Sequence, residues 1–513
     1  MRQLVTLAAA LAIAAGQSYI GRLDTIGGTT YDWWANANVR RSLVNSPQFG
    51  IHAVWMSSSS SGTSFPDCCV RYNYYDHSVH AWNWLDDCMS SGVNVFTERT
   101  GYGVVAADSS GKAIVVAHND SGLVLARDAA PGVGIFSYSH GPSGYYWPDI
   151  AIGDDSVLHV AMSSGTGVSY SRLTGSSSWD SVRVLDSLAY LTYAIAASRT
   201  GPAVFATWVG DTAAFCLLSE NRGDTWSSRV RLDPPPAFGG DTVTRFSRQG
   251  LFPFFDSQGR LHLTATVYPE VHDTAYVNPA EVWHWCQANQ PRWARIHHAG
   301  CAPEHMQASV GYGAIYADRP TMGEGDDGEL YVAWEQFDSS NVEPQTERLR
   351  AGVWVSGSAD NGASWTPGLL VTERNTMSHR FPCIIDRVLS GEPVDTICVL
   401  YLMDQVAGFF IYNEGPATPN PVVCQFVFPP DAIGEEAGTE SRAMNLGPTV
   451  VRGVLSLPRS LLTPHCSLLS TDGRKVLDLH PGANDVSRLA PGVYFVRLSE
   501  DGNCLTRKLV LAK

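Results

Sequence analysis

The chain has no Cys-x-x-Cys pair, no cluster of cysteine and histidine at zinc-ligand spacing and no run of basic residues. The first two absences argue against a structural metal, and no metal site or cofactor is assigned. The third, together with 35 Lys and Arg against 50 Asp and Glu and a net charge of −15, argues against nucleic-acid binding. Long apolar runs are missing as well. Residues 4–15 are apolar behind a charged start, too short to span a bilayer, and no transmembrane segment is expected. That opening has the form of a secretory signal, residues 1–16. The expected product is an exported protein kept soluble by acidity spread through its turns.

Eleven cysteines leave at least one without an intramolecular partner. Cys383 and Cys398 lie symmetrically about the Ser390-Gly391 turn and are predicted to face each other on neighbouring strands as a disulfide. Cys68 or Cys69 with Cys88, and Cys466 with Cys504, are further candidate pairs.

What the chain does contain is a repeat. From Arg319 to Val371 the turn signals Asp327-Gly328 and Asp360-Asn361-Gly362 separate four short strands, one antiparallel meander. Its five-residue frame Leu330-Tyr331-Val332-Ala333-Trp334 recurs from Ile51, Ile114, Leu158, Val204, Leu261 and Ile397, at intervals of 63, 44, 46, 57, 69 and 67 residues. The frames are near-continuous apolar runs rather than strict alternations, which suits sheets covered on both faces. A meander cannot stay dry alone and needs copies on either side. The expectation is an all-β chain whose residues 17–428 form a β-propeller of seven (alternatively six) blades. Residues 26–34 are expected to supply a strand that closes the ring.

Two turns carry a family resemblance. Ser219-Glu220-Asn221-Arg222-Gly223-Asp224-Thr225-Trp226 and Ser358-Ala359-Asp360-Asn361-Gly362-Ala363-Ser364-Trp365 resemble the Asp-box of sialidase-like (BNR-repeat) propellers. Ser219, Asn221, Gly223 and Trp226, and Ser358, Asp360, Gly362 and Trp365, hold the motif positions. In that family these turns lie away from the ligand face, so the resemblance implies a structural role for them.

Residues 429–444 read as an acidic, Gly- and Pro-containing linker. Beyond it, residues 445–513 carry short strands between Asp472-Gly473, Pro481-Gly482, Pro491-Gly492 and Asp501-Gly502, the spacing of a small Ig-like β-sandwich. D-G-R-K-V from Asp472, L-A-P-G-V-Y-F-V-R-L from Leu489 and R-K-L-V-L from Arg507 resemble the C-terminal sorting domain of bacterial type IX secretion cargo. That resemblance implies the type IX secretion machinery as a partner, and a secreted or outer-membrane surface-attached product.

Arg41, Arg99, Arg248, Arg319 and Arg380 each stand near the start of a blade's first strand, where they are predicted to gather at one mouth of the ring as an anion site. The sialidase resemblance implies such a clamp for a sugar carboxylate, with a tyrosine nucleophile. Its R-I-P motif belongs to the first blade, however, where this chain has Arg40-Arg41-Ser42-Leu43, while Arg380-Phe381-Pro382 falls in the last frame. No catalytic residue is carried over. The expected function is a noncatalytic glycan- or protein-binding surface module, the alternative a sialidase-like exo-glycoside hydrolase acting on an anionic sugar.

Overall fold

The computed structural model describes residues 20–35, 39–154, 156–175, 178–187, 192–210, 213–389, 396–427, 449–451, 454–457, 465–470, 474–480, 482–500 and 503–511. The chain divides into two compact units, Met1–Glu436 and Ala437–Lys513. The signal-like residues 1–16, the linker 429–444 and the Ser390-Gly391 turn lie outside the described residues.

The first unit is nearly all β. Each predicted frame is the second strand of its own antiparallel sheet: Gly50–Ser57, Ala113–Asn119, Leu158–Ser163, Val204–Val209, Leu261–Val271, Leu330–Glu343 and Ile397–Asp404. The first strands of successive sheets touch one another, and seven apolar clusters each join one sheet to the next. Leu330, Val332 and Trp334 pack toward the fifth sheet while Tyr331 and Ala333 pack toward the seventh. Both faces of each frame are therefore apolar, which is why the frames lack the polar alternation of a half-exposed strand. The result is a propeller-like ring of sheets. It closes where Arg22–Thr29 pairs antiparallel with Asn420–Val427, so the N-terminal strand becomes the outermost strand of the last sheet.

Buried polar pegs hold the sheets in register. His52, His159 and His262 occupy the second position of three frames and are fully buried. Nδ1 of His52 lies 2.7 Å from the Tyr72 hydroxyl, that of His159 2.8 Å from Tyr170, and that of His262 3.0 Å from Nε2 of His284.

Two expectations need correction. Cys383 stands opposite Leu400, and Ile384 opposite Val399, so Cys383 and Cys398 are two residues out of register and both thiols are free. At the described end of this hairpin Leu389 bridges to Thr396. Cys68, Cys69 and Cys88 are also unbonded; Cys69 faces Asn94 and Cys88 donates to the Gly27 carbonyl. The side chains of Cys466 and Cys504 lie outside the described residues. The aromatic- and histidine-rich stretch 280–299 belongs to the ring itself. It forms Ala280–Cys286 and Trp293–Ala299, the outer strands of the fifth sheet.

In the second unit, Thr449–Val451, Asn503–Leu511, Gly492–Glu500, His465–Ser470 and Lys475–Leu479 form one sheet in that order, and Val454–Leu457 pairs with Gly482–Asp485. Leu468, Leu479, Val486 and Leu511 make its core.

Candidate functional site

A repeated irregularity defines the site. The first strands of the second, third, sixth and seventh sheets each insert one extra residue against the second strand, at Tyr102-Gly103, Trp147-Pro148, Arg319-Pro320 and Phe381-Pro382. The leading residue of each bulge has positive φ: 53° at Tyr102, 52° at Trp147, 56° at Arg319 and 58° at Phe381. Bulges re-aim side chains, and left-handed backbone at four non-glycine residues marks a place where packing enforces the strain. Proline suits the second position because the bulged residue donates nothing to the ladder. The aromatic- or arginine-proline dipeptides are the sequence signal that would have located this face.

Over the bulges runs segment 30–35, which leaves the closing strand with Tyr31, Asp32, Trp33 and Trp34 all buried. Trp33 packs edge-on to Phe381 and Phe409, with ring centroids 6.0 and 4.6 Å away. The Tyr31 and Tyr102 hydroxyls are 2.6 Å apart. Burial pushes both phenols above their ordinary pKa, so both stay protonated at neutral pH. The Tyr102 ring stacks on His118 at 5.5 Å. Nδ1 of His118 accepts the Trp147 N–H at 3.1 Å, which requires a bare nitrogen there and puts the proton of the neutral ring on Nε2. Burial, with the positive charges of Arg40 and Arg99, holds the imidazole's pKa down at about 4. These groups border a cavity of about 220 Å³ whose wall includes Tyr31, Phe65, Arg99, Tyr102, His118 and Ile411.

Beside it lies a charged core. Glu335 is fully buried and accepts Nη1 of Arg319, Nε and Nη2 of Arg380 at 3.1 Å each, and the Phe381 N–H at 2.9 Å. Burial alone would raise its pKa, but the two guanidiniums outweigh it and hold the carboxyl low. Arg319 also lies over the Trp33 and Phe381 rings. Asp32 accepts the Phe410 N–H, while its Oδ1 has no hydrogen-bond partner. Burial raises this carboxyl to about 7.

The five predicted arginines therefore separate. Arg319 and Arg380 meet on Glu335, as an internal ion triad rather than an open clamp. Arg41 reaches across the ring to the carbonyls of Ile384 and Met322, at 2.8 and 3.0 Å, and covers the Phe252 ring. Arg99 lines the cavity, bonded to the Phe65 carbonyl at 3.2 Å and to Asp120 at 3.4 Å. Arg248 is exposed. The residue that spacing missed is Arg40: buried, bonded through Nη1 to the Pro148 carbonyl and lying over Tyr193, it keeps Nε and Nη2 without partners. Turns 219–226 and 358–365 occupy the same place in the fourth and sixth sheets, between third and fourth strands. Asn221 and Asp360 each accept the N–H four residues on, at 2.8 Å, and Gly223 and Gly362 donate to Ser219 and Ser358, also at 2.8 Å. Among the described residues no group of three metal-ligating side chains converges.

No known family and no curated sequence matches the chain. Solved structures resemble it in fold. A PL25 ulvan lyase of the polysaccharide lyases, bound to its saccharide, matches at TM-score 0.43 and 12% identity, covering 76% of this chain and 100% of that one. The polysaccharide lyase Uly1 matches at 0.44 and 9%, covering 82% and 94%. The NanB sialidase of Streptococcus pneumoniae matches at 0.38 and 9%, covering 80% and 70%.

Proposed function

We propose that the ring is a seven-bladed, sialidase-like β-propeller that binds an acidic saccharide in the cavity between Tyr31, Tyr102, His118 and Arg99. The observation that carries this reading is the kind of group the cavity offers. The paired phenols keep one O–H to donate and the neutral imidazole supplies an N–H, the Phe65, Tyr31 and Tyr102 rings supply apolar faces for sugar C–H groups, and Arg99 supplies one half-exposed cation. Hydroxyl-rich ligands with one negative charge match that set.

Binding is favoured over hydrolysis by the scarcity of carboxylates. Glycoside hydrolysis ordinarily uses two, and sialidase-type chemistry sets a tyrosine beside one. The cavity's single acid, Asp120, is 90% exposed and faces Arg99, while Tyr31 and Tyr102 face each other. A second reading, an enzyme acting on the same anionic sugar, is favoured by the neutral His118 N–H beside two phenols, uncharged donors of the kind that stabilise charge developing on a sugar carboxylate.

Calorimetric titration of the protein with uronic- and sialic-acid oligosaccharides, against neutral analogues, tests the binding. Selective binding of the acidic series, weakened at least about 10-fold by Arg99→Ala, is expected. Equal affinity for both series, or no effect of Arg99→Ala, overturns it. Release of reducing sugar or of an ultraviolet-absorbing unsaturated product in the same mixtures decides for the enzyme.

The second unit is proposed as an Ig-like sandwich that addresses the ring to the type IX secretion machinery, with residues 1–16 removed and the ring delivered to the outer-membrane surface or the medium. The support is the ordered motifs at Asp472, Leu489 and Arg507. Deleting residues 445–513 should strand the ring inside the cell envelope; unchanged delivery overturns the reading.

A further inference from the structure

Cys398 and Cys424 sit on neighbouring strands of the closing sheet, Ile397–Asp404 and Asn420–Val427, both with no solvent exposure. The register sets Cys398 opposite Phe426 and Leu400 opposite Cys424, so the cysteines are diagonal neighbours on one face. Their sulfurs are 2.9 Å apart. A bonded pair needs about 2.05 Å, so the sulfurs stand within about an ångström of bonding distance. Of the other two cysteines in this apolar cluster, Cys68 and Cys383, the nearer in sequence is directed elsewhere: the Cys383 sulfur accepts the Ser42 N–H at 3.4 Å.

We infer that Cys398 and Cys424 are an oxidisable pair that becomes a disulfide as the ring closes. The oxidant is a small-molecule or enzyme-borne disulfide. One cysteine thiolate attacks it and releases one thiol; the second displaces the other, and the two electrons and two protons of the pair end on the two released thiols. Both sulfurs are sealed in the apolar cluster shared by the last and first sheets, so exchange must precede the packing of those sheets, and the finished bond is shielded from reductant. The bond would tie off the loop that carries Phe410, whose N–H meets Asp32, and Ile411, which walls the cavity.

The test is refolding of the full chain in a mixture of oxidised and reduced glutathione, then alkylation under denaturing conditions and peptide mapping without reductant. A Cys398–Cys424 cross-link is expected, surviving mild reductant in the folded protein and lost when reductant is added with denaturant. Cys383→Ser should retain it. Cys424→Ser should abolish it and melt lower by about 5 °C. Alkylation of both thiols in the refolded wild type, or a link from either to Cys383, overturns the inference. Should Cys424→Ser fail to fold, the wild-type map decides by itself.

Discussion

The hydroxyls of Tyr31 and Tyr102 meet at 2.6 Å across 71 positions of sequence. Tyr31 is delivered by the segment that leaves the closing strand, and Tyr102 by a bulge in the second sheet. Tyr102→Phe removes one partner and leaves the buried Tyr31 hydroxyl unsatisfied. The folded ring should survive, with acidic-saccharide affinity lowered about 10-fold and stability by about 1–2 kcal/mol, read by calorimetric titration and urea unfolding.

Glu335 is the carboxylate that bridges two buried guanidiniums. Glu335→Gln leaves Arg319 and Arg380 without their bridging charge, and a loss of about 3–5 kcal/mol is expected. Because the folded carboxyl titrates below its unfolded value, its stabilisation is complete above about pH 4.3 and disappears as pH falls through the lower folded value. Acid melts of the wild type should show this component, and those of Glu335→Gln should lack it.

Asp32 works in the opposite direction. Its folded pKa of about 7 lies above the unfolded value of about 3.9, so the native protein holds the proton across that interval. Stability then falls as pH rises from about 4 to about 7, and the full cost is present above pH 7. Asp32→Asn keeps an acceptor for the Phe410 N–H. It should raise the melting temperature at pH 8 and leave it near wild type at pH 4; an equal change at both would show that the carboxyl is not titrating there.

Gly362 and Gly328 both have positive φ, 76° and 89°. A β-carbon at Gly362 would lie 2.1 Å from Cε1 of His284, whose Nδ1–H donates to the Gly362 carbonyl, whereas one at Gly328 meets nothing within 4 Å. Gly328→Ala should therefore cost only the left-handed backbone penalty of about 1–2 kcal/mol. Gly362→Ala should cost at least about twice that, because the fifth and sixth sheets must shift apart. Urea unfolding of the two variants side by side measures the difference.

The amino-acid pattern alone determined the sheets. Seven apolar frames, most of them behind a turn, became seven second strands, since a strand dry on both faces reads as a near-continuous run of Val, Ile, Leu and Ala. The two Ser-x-Asx-x-Gly turns were equally local and equally readable, whereas the closing strand was read at 26–34 and lies at Arg22–Thr29. Tertiary structure decided everything that depends on distance across the ring: that Arg319 and Arg380 share Glu335, that Arg41 spans the interior, that Arg40 keeps unpaired nitrogens, and that Cys398 approaches Cys424 and not Cys383. Charges and thiols at equivalent positions of a repeat look alike in sequence. Their partners are chosen by hairpin register, by bulges of a single residue and by the path of segment 30–35, none of which leaves a periodic trace.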